Sequence, residues 1–391
     1  MTKRRAPKNL WTTGKSPRDA VTLEHFARTM ERIAPAHLAE AWDNVGLLSG
    51  HRTSLIKKVL LTIDLTPAVH DEALANNIDL VLSYHPPIFK PLKHLRINGD
   101  EPPALAVALA SYGIWCYSPH TALDTATGGT NDTLAQKLGA HVTGSFSQYA
   151  ARGEYLKLVT FIPHDHVEKV AEAIFAAGAG HIGQKAKYAK CSFRVEGTGT
   201  FMGDDSANPT VGQKNIYEHV KEMRFETILP ANAAGDVVNA LMQSHPYEEP
   251  AYDLLKMQTP PEAVGLGRYA AFDQPLTLAA LAQRAKRTLK LPHVLVAGDT
   301  SRKIERIAVV AGSAGRIALD QATKPYDCLV TGELKHHDVL AYAAGGKSVL
   351  CLGHAASERP VLDTLSAELT KLLPTLDLRI SQHPVELLQL G

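Results

Sequence analysis

The feature that most constrains this fold is a series of short, almost wholly apolar runs alternating with helix-patterned segments. The runs are Val59 to Leu65, Leu80 to Ser83, Ile114 to Tyr117, Ile307 to Ala311, Cys328 to Thr331 and Ser348 to Leu352. Strands that lack a polar alternate face are buried on both sides, and helices between them serve as crossovers. The pattern therefore predicts an α/β chain with a parallel sheet covered by helices. Helices are expected over Leu23 to Ala34, Thr66 to Asn77, Pro103 to Tyr112 and Leu276 to Leu289. The alternation stops near residue 145 and resumes after residue 268.

In the gap the pattern changes. Strands are expected at Tyr155 to Ile162, Cys191 to Thr200, Met223 to Leu229 and Ala251 to Leu255, with helices at His164 to Ala177 and Ala231 to Met242. This β-α-β-β-α-β order is the ferredoxin-like plan. The expected architecture is a split α/β/α parallel-sheet domain (21–148 and 266–391) with an inserted ferredoxin-like α+β domain (149–265) and a basic tail (1–20). A length of 391 residues, 45% of them hydrophobic, suits two or three domains.

The tail carries Lys3, Arg4, Arg5, Lys8, Lys15 and Arg18, with no acidic residue up to that point and no apolar core after it. It reads first as a disordered basic tail and second as an organelle transit peptide, not as a secretory signal. Lys+Arg 41 against Asp+Glu 40 leaves a net charge of +1, so the whole chain advertises no affinity for nucleic acid or membrane surfaces. No apolar stretch is long enough to span a bilayer. Cys116, Cys191, Cys328 and Cys351 lack C-x-x-C spacing and read as reduced core thiols of a cytoplasmic protein.

Four apolar runs lead directly into polar clusters: Tyr84-His85-Pro86-Pro87, His120 to Asp124, Glu333 to Asp338 with His336 and His337, and His354 to Glu358. In parallel α/β sheets ligands gather outside the carboxyl ends of the strands, the address all four share. His354 and Glu358, four apart on a helix, would lie on one face and could grip the same ion. Each cluster has a plainer reading. His85 could be a turn residue, Asp124 could cap the helix that begins near Asn131, and Glu333 with His336 and His337 could be a solvated helix start. His245 to Pro250 also looks metal-like, but it leads toward a strand of the insert. Gly197 to Gly203 reads as a plain loop rather than a phosphate cradle, because no helix start follows it at once. Gly345-Gly346-Lys347-Ser348 is rejected as a phosphate loop: Ala341 stands where the first glycine belongs, and a strand follows.

Histidines mixed with carboxylates suit Zn, Mn or Fe, and the clusters contain no thiolate of a structural zinc site. Two ions about 3.5 to 4 Å apart could acidify a shared water and polarise a substrate oxygen.

These clusters, in this order, resemble the NGG-one-interacting-factor-three-like family, the dinuclear metal-centre proteins labelled GTP cyclohydrolase 1 type 2 homologue. The matching segments are Glu40-Ala-Trp-Asp-Asn-Val-Gly-Leu-Leu48, Ser83-Tyr-His-Pro-Pro-Ile-Phe89, His120-Thr-Ala-Leu-Asp124 with Gly128 to Asp132, Thr331-Gly-Glu-Leu-Lys-His-His337, and Gly353-His-Ala-Ala-Ser-Glu-Arg359. The insert resembles that of longer members, which is similar to the PII and CutA proteins. The resemblance implies metal ligands at His85, Asp124, His354 and the bridging Glu358, two divalent ions (Zn, Fe or Mn) and a homohexameric ring. Tyr84 stands where the family more often has a second histidine, and Glu333 where it tends to have Asp.

The main functional expectation is a metal-dependent hydrolase acting on a nucleotide-like small molecule, GTP among the candidates, with Glu333 or His337 moving protons. The alternative is a metal-handling or regulatory binding protein without turnover.

Overall fold

The computed structural model describes residues 20–145, 149–150, 155–182, 188–257 and 263–383; the expectation for the basic tail lies outside them. The chain divides into two compact units, residues 1–151 with 262–391, and residues 152–261. No helix among the described residues is long and apolar enough to cross a membrane.

The larger unit contains two main sheets, of five and six strands, beside two two-stranded pairs. In the first the strand order is Asp377–Ile380, Lys58–Thr62, Leu80–Ser83, Trp115–Ser118 and Gly46–Ser49. Four of these are parallel, and Gly46–Ser49 closes one edge antiparallel. The second sheet runs Leu295–Ala297, Ser348–Cys351, Cys328–Glu333, Lys303–Ser313, Arg268–Thr277 and His141–Ser145. Its parallel core is Ser348–Cys351, Cys328–Glu333 and Lys303–Ser313; the flanking strands pair antiparallel. A single parallel sheet is thus replaced by two main sheets, each a parallel core with antiparallel pairing at one flank or both. The apolar runs identify the strands buried on both faces but cannot reveal half-solvated edge strands such as His141–Ser145, which antiparallel pairing tolerates.

The two segments of this unit are interleaved. Helix Thr130–Lys137 and strand His141–Ser145 come from the N-terminal segment yet belong to the second sheet, where Leu134 and Leu138 pack with Ile307, Val309 and Val330. Conversely, helix Pro360–Leu372 lays Val361, Leu362, Leu365 and Leu369 against the Val59, Leu61, Leu80 and Leu82 side of the first sheet. The periodicity that places those four residues on one stripe also makes the helix amphipathic. Helix Leu23–Ile33 joins the same core through Leu23, Phe26 and Met30, and begins where the Thr22 hydroxyl accepts the His25 N–H at 3.1 Å.

The smaller unit has an antiparallel sheet ordered Ser192–Phe201, Glu218–Pro230, Tyr155–Pro163 and Tyr252–Lys256. Helices Val167–Ala176 and Ala234–Ser244 close its core with Leu158, Ile162, Val170, Ile174, Phe225, Leu229, Val237 and Leu241. Strand Ser192–Phe201 covers most of the strand expected over Cys191 to Thr200 and takes in Gly197 to Phe201 of the expected loop. The ladder of those five residues with Glu218 to Glu222 supplies the backbone pairing that decides between the two expectations. All four cysteines are free, Cys116 and Cys328 buried, Cys191 and Cys351 only partly so.

Candidate metal centre

The carboxyl ends of the two parallel cores meet at one cluster. His85 follows strand Leu80–Ser83, and the ladder continues past the strand: Tyr84 N–H donates to Thr62 O at 2.9 Å and His85 N–H to Ile63 O at 3.0 Å. His354 follows strand Ser348–Cys351 and starts the one-turn helix His354–Glu358. Glu358, one turn on, faces back to His354 as the helical spacing requires. Its Oε1 lies 3.3 Å from His354 Nε2 and its Oε2 lies 3.3 Å from His85 Nε2. The ligand atoms of His85, His354 and Glu358 all fall within 4.8 Å of one another, and Glu358 is buried.

Two glycines make room for this. Gly312 has φ of +65°, and a Cβ there would lie 2.5 Å from Glu358 Oε1 and 3.4 Å from His354 Nε2. Gly332 lets three segments converge; a Cβ would meet Gly312 O at 2.4 Å, His354 Cα at 2.8 Å and Ser357 Oγ at 2.8 Å.

The donor set fits a cation. Glu358 Oε2 is buried with no well-formed hydrogen bond among the described residues, its neighbour being His85 Nε2 at 3.3 Å, and an ion between the two would complete both. Both carboxylate-to-nitrogen separations exceed the 2.7–2.9 Å of a charge-assisted hydrogen bond. They match the edge of a tetrahedron about an ion with ligand distances of about 2.1 Å, which is roughly 3.4 Å.

The far nitrogen of each histidine ring is held by an acid. His85 Nδ1 is 2.8 Å from Asp64, and His354 Nδ1 is 3.1 Å from Glu333. Next to them His120 Nδ1 is 2.8 Å from Asp43, with the His120 and His85 rings 5.2 Å apart. A carboxylate on Nδ1 fixes the tautomer and turns Nε2 toward a ligand. Asp43 also accepts the Thr121 N–H and hydroxyl. Burial would raise the Asp43 pKa, but the hydrogen bonds from His120 and Thr121 prevail and hold it below its usual value.

Asp124 stands beside this cluster. Tyr84, wholly buried, donates its hydroxyl to Asp124. Burial, and then the Glu358 charge, push the Asp124 carboxyl up to about 6, against the opposing hydrogen bond from Tyr84. Burial and the nearby Asp124 and Glu358 charges drive the Tyr84 phenol well above 10.

In the metal-free protein His85 is pushed up to about 10. Burial alone would lower it, but Asp64 and Glu358 outweigh that effect. The Glu358 contact pushes His354 up to about 9 against its burial. Glu358 is correspondingly held below its usual value, since the two histidines overcome its burial. Raised histidine pKa values stabilise the metal-free fold below about 6.5, and that contribution fades as pH rises through about 9 to 10. A metal ion must displace the same protons, so affinity is expected to rise with pH by roughly tenfold per unit for each proton released. Metal titration calorimetry in two buffers of different ionisation enthalpy checks this; a pH-independent affinity with no proton release would contradict the ring assignments.

Of the remaining candidates, Glu333 reaches the cluster through His354, whereas His337 lies exposed on helix His336–Ala344 with its ring 5.5 Å from His336. His245 places Nε2 3.0 Å from Phe161 O and receives the Tyr247 N–H on Nδ1 at 3.1 Å, both nitrogens being used within the smaller unit. Sequence reasoning gave no role to Asp43 or Asp64. Asp64 stands just past the buried strand Lys58–Thr62, the same address as the other clusters, and that position was the available signal. Asp43 sits inside the Glu40 to Leu48 motif but is distant in sequence from the ring it orients.

Comparison with known proteins follows the same outline. The family described as Duf34/NIF3 (NGG1p interacting factor 3) matches residues 21–386. A Halalkalibacterium halodurans protein named GTP cyclohydrolase 1 type 2 homolog is 35% identical over 343 residues, 88% of this chain and 91% of that protein. A Bacillus subtilis protein of the same name is 34% identical over 354 residues, 90% and 93% of the two chains. The crystal structure of a Bacillus cereus protein related to NIF3 superposes with a TM-score of 0.79 at 30% identity, covering 97% of this chain and 100% of that one.

Proposed function

The chain belongs to the Duf34/NIF3 family, and from that premise we propose that it is a metal-dependent hydrolase acting on a nucleotide-like small molecule. The observation that carries the reading is the convergence of His85, His354 and Glu358 from two sheets onto ligand-edge distances of 3.3 Å. His85, His354 and Glu358 would hold an ion, and Asp124, the fourth ligand the resemblance implies, lies beside them. A divalent ion there supplies Lewis acidity and lowers the pKa of water.

The chain's own groups do the rest. Asp64 and Glu333 orient the rings. Glu333, with its side chain more than half exposed and 3.1 Å from His354 Nδ1, is the better supported of the two proton-transfer candidates, His337 being exposed on its helix with its ring against His336. Trp42 and Phe89 stand exposed with rings 6.0 Å apart, and Trp42 lies 6.1 Å from the His120 ring. They offer flat apolar surface for a heteroaromatic base. With GTP as substrate, hydrolysis would open the imidazole ring of guanine at its carbon between the nitrogens.

We read the smaller unit as a ferredoxin-like insert of the PII and CutA kind, supported by its β-α-β-β-α-β order with the first strand between the third and fourth. The hexameric ring implied by resemblance belongs to the same proposal; exposed Phe89, Leu95 and Ile97 on one loop are consistent with a covered surface.

The test is GTP turnover by protein reconstituted with Zn, Mn or Fe(II), read as ring-opened product or released formate, beside Glu358→Gln. Metal-dependent turnover lost in the variant is the expected result. Firm metal binding without turnover of GTP or other nucleotides would favour the regulatory reading. One observation supports that alternative: the smaller unit has its own cavity of about 520 Å³, lined by Phe161, Val195, Glu222, Arg224 and Tyr247 among others.

A further inference from the structure

We propose that this centre takes one ion firmly, because Tyr84 fills the space and engages the carboxylate that a second ion would require. The inference rests on the reading of His85, His354 and Glu358 as a metal centre, and concerns how many ions that centre holds.

Tyr84 is wholly buried, its ring 5.2 Å from His85 and 5.8 Å from His120. Its hydroxyl donates to Asp124 and lies 3.2 Å from the Thr130 hydroxyl. A phenol has one proton to give, and Asp124 accepts it. Among the described residues the convergent metal-ligating group comprises His85, His354 and Glu358 and does not include Asp124.

Asp124 is also anchored. Asn131 Nδ2 donates to its carbonyl at 3.1 Å and to Leu266 O at 2.8 Å, while Asn131 Oδ1 accepts the Ala311 N–H at 2.8 Å. The carboxylate therefore has little freedom to move toward the cluster by backbone adjustment. For Asp124 Oδ1 to serve a cation, the phenol must share or give up that acceptor inside a buried site, where a weakened or unmade hydrogen bond is costly. A histidine at the same position would instead present a neutral ring nitrogen and leave the carboxylate free. The residue that departs from the resemblance and the one it disables are thus in direct contact.

The experiment is elemental analysis after loading with excess Zn(II) or Mn(II) and desalting. The parent should retain about one ion per chain and Tyr84→His about two. Asp124→Asn, which keeps the shape of the site, should retain its ion within about twofold of the parent affinity. About two ions in the parent, or a loss above about tenfold in Asp124→Asn, would overturn the inference, and the second of these needs no folded Tyr84→His protein. So would a visible phenolate charge-transfer band in Fe(III)-loaded parent that Tyr84→Phe abolishes, because Tyr84 would then be a ligand. Absence of bound metal in the parent and both histidine and asparagine variants would refute the metal centre itself, a different failure from a count of two.

Discussion

Arg268→Ala is expected to destabilise the protein by about 3–5 kcal/mol, because it leaves a buried carboxylate and several carbonyls without their donor. The Arg268 guanidinium is only 3% exposed at the residue level. It donates to Asp132 at 2.6 Å, to Gly265 O at 2.5 Å and Gly267 O at 3.2 Å, and to Thr125 O at 2.8 Å and Ala126 O at 2.9 Å. Those last two carbonyls directly follow Asp124, so one side chain ties the returning segment of the chain to the loop beside the metal centre. Arg268→Lys should recover little of the loss, since a single ammonium cannot span the planar set of acceptors. Chemical denaturation measures it; a change below about 1 kcal/mol would mean that water or rearrangement satisfies those groups.

The second large effect concerns metal. His354→Ala and Glu358→Ala should each lower affinity by more than about 100-fold, exceeding the 10–100-fold typical when only an outer partner of a ligand is removed. Asp64→Ala, which removes such an outer partner of His85, should fall within that smaller range. The loss should be specific to metal. His354 is partly exposed and starts a helix of one turn, so its truncation removes little core packing. Glu358→Ala removes a buried charge whose partners are the two histidines, which then lose the interaction that raises their pKa values. Competitive chelator titration gives the affinities, and thermal melting in chelator shows whether the fold persists. Full metal content in both folded variants would remove the basis for the proposed function.

Much of this was legible in one dimension. The apolar runs at Leu80, Cys328 and Ser348 could only be strands buried on both faces, and polar residues just past such strands lie at the sheet's carboxyl edge by geometry alone. That is why His85, His354 and Glu358, which the fold brings together, stood out as candidates without coordinates, the last two from helical spacing. Among the strands that escaped detection, the edges Gly46–Ser49, His141–Ser145 and Asp377–Ile380 are short and only half buried, with little apolar signal of their own, whereas Arg268–Thr277 is an inner strand interrupted by Asp273 and Gln274. Gly197 to Thr200 fell under both an expected strand and an expected loop, because glycine carries turn preference; the ladder to Glu218–Pro230 decides for the strand and extends it to Phe201.

What the sequence by itself determined was the class of elements and the type of chemistry: buried parallel strands, an interruption with a different order of elements, and histidines with carboxylates at strand ends. Those properties follow from local periodicity and side-chain identity. Only the tertiary structure decided that the strands form two sheets, that each segment contributes a helix and a strand to the other segment's sheet, and that Asp43, Asp64 and Glu333 each hold a different ring. It alone placed the Tyr84 hydroxyl on Asp124, forty residues away in the chain. The physical reason is that such partnerships depend on where separate strands come to rest, and burial drives that assembly without direction, whereas the hydrogen bonds that define the site exist only once the backbones carrying them are fixed.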